Sequence, residues 1–227
     1  MGKSIKNALV VGATGGLGTV ITDRLQLNGY AVDPIWLDDN RPDVWDKGAY
    51  ESSSFSNLDL GIYLTGTNIT KSIEDLTRDD IQSIFQTNVF GAFNFAKNNL
   101  ERIKSGHNPT FVFISSIMVT HPYPNRTAYA ASKAAIEGLS NALAVELGEY
   151  GISSICIRLG HLSSLMKSTK TNPALLDQVK SAAPQGNLID PIEVADFIID
   201  LHSSKIKALN GSVIDFDAGY TKNRWPL

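Results

Sequence analysis

The start of the chain limits the fold more than any other segment. Ala8-Leu9-Val10-Val11 is a continuous apolar run, and Gly12-Ala13-Thr14-Gly15-Gly16-Leu17-Gly18 is a glycine-rich turn. Thr19 to Leu27 then carries apolar residues at helical spacing through Val20, Ile21, Leu25 and Leu27. A short run that is apolar at every position suits a strand buried on both faces, the condition of a parallel sheet. A strand that passes through a tight turn directly into a helix opens a βαβ unit. Glycine also lets the backbone come close to a phosphate, and the unpaired N–H groups and positive dipole end of the helix receive negative charge.

The same alternation of strand and helix patterns continues to the end of the sequence, which predicts an α/β fold: a single doubly wound, Rossmann-like parallel sheet with helices on both faces. Strands are expected at Ala31 to Leu37, with Pro34 inside it, at Gly61 to Leu64, at Phe111 to Ile114, from Ile152 to Leu159, and around Ser212 to Phe216. The longest helical patterns are Leu76 to Lys104 and Ala128 to Tyr150. At 227 residues and 43% hydrophobic, without a repeat or a linker, the whole of 1–227 is expected to be one domain.

A second feature points to chemistry. Tyr129 and Lys133 lie one helical turn apart, so the phenol and the ammonium share a face, and Ser116 follows the Phe111 to Ile114 strand. A tyrosine hydroxyl has a reference pKa of about 10, and a cation held nearby stabilises the phenolate and lowers that value toward the range where the group exchanges protons. Alone, Tyr-x3-Lys is common on amphipathic helices, and a half-buried Tyr beside a solvated Lys is the ordinary reading. The glycine turn changes its meaning by supplying a dinucleotide site.

With its Gly12-x3-Gly16-x-Gly18 turn and its Ser116, Tyr129-x3-Lys133 set, the chain resembles the short-chain dehydrogenase/reductase family from Ala8 to about Tyr220. Gly66 matches the glycine of the family's turn after the Gly61 to Leu64 strand, and Asn88 in Gln86-Thr87-Asn88-Val89 matches its helix asparagine. Leu159-Gly160 stands where the family often has Pro-Gly. The resemblance implies that Gly12, Thr14, Gly15, Gly16, Leu17 and Gly18 bind the pyrophosphate side of NAD or NADP. Gly66, Tyr129, Lys133, Gly160 and Ser164 take the rest of the cofactor. It also implies a catalytic set of Asn88, Ser116, Tyr129 and Lys133, with Asn88 holding a water that connects Lys133 to solvent, and a homodimer or homotetramer built on the long helices.

One stretch departs from the family pattern. The family usually has two strands with a helix after each between the positions of Gly29 and Gly66, and this sequence is too short for both, so the adenosine side is expected to be trimmed. Asp43-Val44-Trp45-Asp46 is similar to the Asp-Val turn that flanks the adenine. Asp38 is placed to bond the ribose hydroxyls, which favours NAD. A gapless match puts Trp36 at the discriminating position, and Arg41 is near enough for a phosphate, which leaves NADP open.

The expected activity is hydride transfer between the cofactor and a carbonyl or secondary alcohol, with Tyr129 as general acid and base. The alternatives are a nucleotide-sugar epimerase or dehydratase, which needs an added C-terminal substrate domain, and a dinucleotide-binding regulator without turnover. Met118, His121, Tyr123, Thr67 and Met166 are candidate pocket residues, each equally at home as a packing or loop residue. Twenty basic and 23 acidic residues give a formal net charge of -3, which recommends neither nucleic acid nor an acidic membrane as partner. The single cysteine, Cys156, suits a reducing compartment, and the four histidines show no metal-ligand spacing. A cytoplasmic location is expected, there being no long apolar run and no signal-like start.

Overall fold

The computed structural model describes residues 5–35, 54–163 and 173–223. Its strands are β1 (Lys6–Val11), β2 (Tyr30–Ile35), β3 (Leu60–Tyr63), β4 (Thr110–Ser116), β5 (Ser153–Leu159) and β6 (Val213–Phe216). They form one six-stranded sheet in the order β2-β1-β3-β4-β5-β6, parallel at every pairing. The helices are α1 (Gly16–Leu27), α2 (Arg78–Phe85), α3 (Gly91–Asn98), α4 (Leu100–Lys104), α5 (Thr127–Glu146), α6 (Pro173–Ala182) and α7 (Pro191–Ser204).

The apolar runs are continuous because the sheet has two dry faces. Side chains alternate along a strand, so Ala8 and Val10 of β1 join Ile21 and Leu25 of α1 and Val194, Ile198 and Ile199 of α7 in one core. Leu9 and Val11 point the other way, into a second core with Phe95 of α3, Ile136 and Leu139 of α5, and Phe111 and Phe113 of β4. Phe95 meets Phe111 edge-on at 5.4 Å between ring centres, an arrangement that favours the ring quadrupoles.

One expectation is revised, and another extends beyond the described residues. The second strand runs Tyr30–Ile35, and Leu37 lies outside the described residues. Among the described residues β2 is the outermost strand, a place where Pro34 is tolerated. The long helix expected from Leu76 to Lys104 is broken instead into α2, a π-helical turn Gln86–Phe90, α3 and α4. Thr77 caps α2 through a reciprocal bond with Asp80. At the π turn the Tyr63 hydroxyl donates to the Thr87 carbonyl at 2.6 Å, and at Asn99 the side-chain amide donates to the Phe95 carbonyl at 2.9 Å. A tertiary partner thus marks the π turn, and a local side-chain bond four residues back marks the end of α3.

Away from the ends of the strands that carry the cleft, His202 of α7 is buried at 2% exposure, with its Nδ1 2.7 Å from the Tyr30 hydroxyl. Burial, helped by the Lys6 charge, pushes its pKa down to about 4 from 6.5. A histidine kept neutral by folding contributes stability that is full above pH 6.5 and is lost as pH falls through about 4. Urea unfolding should therefore show a loss over that window of up to roughly 3 kcal/mol from this group. In His202→Gln the pH dependence should be flatter over the same range, and an unchanged slope would remove His202 as the cause.

Candidate active site

Because the strands are parallel, β1, β3, β4 and β5 end on one edge of the sheet. The chain runs outward from β1 to β2 and then returns to β3 on the other side of β1, so the winding direction reverses between β1 and β3. Open α/β sheets place ligands in the crevice outside the strand ends at such a reversal.

Gly12 leaves β1 and donates its N–H to the Ile35 carbonyl at 3.0 Å. Thr14, Gly15 and Gly16 are exposed at the tip of the turn, and Leu17 is half-buried. Gly15 caps α1 with no side-chain hydrogen bond, and the first turn holds no acidic residue. The leading end of the helix is thus free to receive an anion, and the donor chemistry fits a pyrophosphate. Gly18 packs helix against turn so closely that a Cβ there would lie 2.1 Å from the Gly12 carbonyl oxygen. Gly18→Ala should cost about 1–3 kcal/mol as an overpacking change, measured by urea unfolding. A variant as stable as the parent would show that the turn gives way freely.

Ser116 closes β4, its Oγ accepts from the Met118 N–H at 3.2 Å, and it shares the cleft wall with Tyr129. Tyr129 stands in the first turn of α5, and Lys133 follows one turn later. The fully buried Lys133 Nζ donates to the Ile114 carbonyl at 2.8 Å and lies 5.8 Å from the centre of the Tyr129 ring. Gly66 fits against it, since a Cβ there would come within 3.0 Å of Nζ. Asn88, in the π turn, is fully buried. Its Nδ2 donates to the Thr67 carbonyl at 3.0 Å and to Ser132 Oγ at 2.8 Å, and its Oδ1 accepts from the Thr67 N–H at 2.7 Å. Ser132 Oγ donates in turn to the Tyr129 carbonyl at 2.7 Å. Asn88 therefore clamps the Gly66-Thr67 loop to α5.

The electrostatics differ from the sequence expectation in one respect. Burial is the largest influence on Tyr129 and raises its pKa, while the Ser116 hydrogen bond and the Arg126 charge pull it back. Lys133 is not what sets it. The Lys133 ammonium is bonded to a carbonyl and sits over the ring, and burial brings its own pKa down to about 8. Tyr129 is accordingly held protonated at neutral pH.

A cleft of about 310 Å³ opens in front of these groups, and Gly66, Ser116, Met118, Tyr123, Tyr129 and Gly160 are in its wall. Gly160 leaves β5 with its N–H on the Phe216 carbonyl at 3.0 Å. Of the sequence-predicted residues, Asn88, Ser116, Tyr129, Lys133, Gly66 and Gly160 converge here, and Met118 and Tyr123 line the cleft. His121 is exposed and bonded to Thr120, and Thr67 serves the Asn88 clamp through its backbone. Asp38, Trp36, Arg41, Asp43 to Asp46, Ser164 and Met166 lie outside the described residues. Arg126, Asn68 and His161 are further wall residues. Arg126 was within reach of sequence reasoning, as it precedes Tyr129 by the i, i+3 spacing of one helix face.

Residues 48–221 match the family model described as enoyl-(acyl carrier protein) reductase, a span that includes Asn88, Ser116, Tyr129 and Lys133. The chain belongs to the short-chain dehydrogenase/reductase family. Among the relatives of this short-chain dehydrogenase/reductase, an uncharacterized oxidoreductase of Thermotoga maritima is 30% identical over 173 residues, 74% of this chain and 69% of that protein. A tropinone reductase homolog of Arabidopsis thaliana is 25% identical over 245 residues, 96% of this chain and 93% of the relative. In fold, the ligand-free aldohexose dehydrogenase of Thermoplasma acidophilum superposes with a TM-score of 0.89 at 20% identity, over 98% of this chain and 96% of that one. A short chain dehydrogenase family protein from Francisella tularensis gives 0.83 at 23% identity, over 96% and 100%. The protein is thus an oxidoreductase of this family.

Proposed function

We propose that this short-chain dehydrogenase/reductase interconverts a carbonyl compound and its secondary alcohol with NAD or NADP, and that Tyr129 gives and takes the proton. The observation that carries the reading is that Ser116 and Tyr129 share the cleft wall with Gly66 and Gly160, with Lys133 buried behind. Gly12, Thr14, Gly15, Gly16, Leu17 and Gly18 would hold the pyrophosphate, with Gly66, Gly160 and Lys133 toward the nicotinamide end. When bound, the dinucleotide supplies or accepts the hydride at the substrate carbon.

The chain's own groups do the rest. Ser116 Oγ and the Tyr129 hydroxyl orient and polarise the carbonyl oxygen. As that oxygen gains an electron pair from the breaking π bond, Tyr129 transfers its proton to it. Burial keeps Tyr129 protonated, which suits the reductive direction at neutral pH. Asn88 holds the loop of Gly66 against α5 and, in this reading, one end of the water chain that restores the proton through Lys133. In oxidation the same proton moves back to Tyr129.

The sequence favours NAD through Asp38, and the protein is taken to act as a single domain. An apolar groove between α3 and α5, lined by Phe93, Leu100, Leu139 and Leu143, supports a homodimer or homotetramer built on those helices. Among the described residues no helix is long and apolar enough to cross a membrane. A cytoplasmic setting fits Cys156, whose thiol burial pushes up to about 12 and out of redox chemistry. Fluorescence titration with NADH and NADPH, followed by a panel of carbonyl compounds, tests the assignment. Saturable binding with turnover is expected; no binding of either dinucleotide at millimolar concentration would overturn it, and binding without turnover would favour the regulator.

A further inference from the structure

Arg126 stands out among the arginines. Arg24 is bonded to Asp196 at 2.6 Å, Arg102 to Asn99 at 3.3 Å, and Arg158 to Glu137 at 2.7 Å. All three are half-buried, as Arg126 is. Among the described residues Arg126 alone of these four spends its guanidinium on no partner, although it lies in the cleft wall. A half-buried guanidinium without a carboxylate loses part of its hydration and regains nothing in the free protein. Such a group is economical only if something else supplies the anion.

Among the described residues the cleft wall does not supply that anion. None of the described wall residues is acidic. Facing Ser116 and Tyr129, the His161 ring stacks on Tyr123, with Nε2 2.8 Å from the Tyr123 hydroxyl, which also bonds to the Tyr220 hydroxyl. Burial lowers the His161 pKa, so this wall offers hydrogen bonds without charge. Arg126 precedes the first residue of α5, and its i, i+3 spacing from Tyr129 puts both side chains on the same face. Arg126 and Tyr129 line the same cleft, and the Arg126 charge lowers the pKa of the Tyr129 phenol. At about 310 Å³ the cleft is at the small end for a ligand site.

We propose that the substrate is a short oxo acid or hydroxy acid, and that Arg126 receives its carboxylate while Ser116 and Tyr129 hold the reacting oxygen. This rests on the oxidoreductase reading above. The planar guanidinium fork matches a carboxylate in two parallel bonds, which fixes the carbonyl in one orientation and discriminates against uncharged analogues.

The test compares acids with their methyl esters: acetoacetate with methyl acetoacetate, and 2-oxobutanoate with its ester, using whichever of NADH and NADPH binds. At least one acid should exceed its ester in kcat/KM by about tenfold or more, the value of one or two charge-assisted bonds. Arg126→Met should lower kcat/KM for that acid by about 10- to 100-fold, mainly through KM, and lower it for the ester by a distinctly smaller factor, so that the preference for the acid is lost. Arg126→Lys should recover part of the loss. Esters used as well as acids, or an equal loss for both in Arg126→Met, would overturn the proposal. Calorimetric titration with 3-hydroxy-3-methylbutanoate, a tertiary alcohol that cannot be oxidised, and with its amide gives a second reading. The carboxylate should bind to the parent and not to Arg126→Met, and equal binding to both proteins sinks the anion site. Turnover of uncharged carbonyls with no preference for acids would remove the anion site and leave the oxidoreductase reading intact. Carboxylate binding that needs Arg126, with no turnover of any compound, would remove the oxidoreductase reading instead.

Discussion

Replacing Tyr129 by Phe should lower kcat about 10²- to 10⁴-fold while dinucleotide affinity changes little, since what is lost is one proton-transferring hydroxyl. The phenyl ring keeps the packing of the first turn of α5, and Lys133 keeps its bond to Ile114, so the variant should fold like the parent. The pH profile gives an independent check. Burial raises the Tyr129 pKa, so the phenol is protonated at neutral pH and ready to act as an acid. Alcohol oxidation, which needs the phenolate, should gain with rising pH, and carbonyl reduction should fall. Both trends should disappear in Tyr129→Phe. Residual activity within a few-fold of the parent would show that the proton passes through another group.

The surroundings of Lys133 suit it to binding. An ammonium with a pKa near 8, tied to the Ile114 carbonyl and covered by Gly66, is a group held for use when a ligand adds polar atoms above it. The Asn88 clamp serves the same end, because it fixes both the loop that covers Lys133 and the helix that carries it.

Much of the fold was legible because it follows from local patterns. Ala8 to Val11 is apolar at every position, and it folds as a strand with a core on each face. The start of α5 at Thr127 falls one residue from the position the helical pattern gives. The pattern of Leu76 to Lys104 reads as one continuous helix because the π turn at its centre is bonded by a partner distant in sequence. The Tyr63 hydroxyl on Thr87 O stands 24 residues away, and no window centred on Thr87 contains that information. In the site, Asn88, Ser116, Tyr129 and Lys133 were named because they match the motifs of the family the sequence resembles, and the fold brings them together. Arg126 had its helical spacing from Tyr129, but what singles it out is the lack of a partner, and that is visible only once the surrounding side chains are placed. Tyr220 reaches Tyr123 across 97 residues, beyond any local signal.

The largest effect on stability is expected at Glu137. It is 7% exposed, and both of its oxygens accept from Arg158, Oε1 from Nε and Oε2 from Nη2, each at 2.7 Å. Ser115 Oγ donates to it at 2.7 Å, and Arg158 also reaches Asp215 of β6 at 3.2 Å. One carboxylate therefore ties β4, α5, β5 and β6 together. Glu137→Ala leaves the Arg158 charge half-buried beside only Asp215, and breaking a buried pair from one side costs about 3–5 kcal/mol. The 20% exposure of the Arg158 side chain and the remaining Asp215 put the expected loss near the lower end, about 3 kcal/mol, measured by urea unfolding. Because a well-packed apolar pair can replace a buried ion pair at little cost, Glu137→Leu with Arg158→Met should recover most of that stability. Activity should not recover with it. Glu137 lies one turn beyond Lys133 and bonds to Ser115, the neighbour of Ser116, so the ion pair sets the distance between the strand end that carries Ser116 and the helix that carries Tyr129. A stable double variant with a lowered kcat would locate that geometry in the charged network, and full recovery of both properties would show that the network serves stability alone.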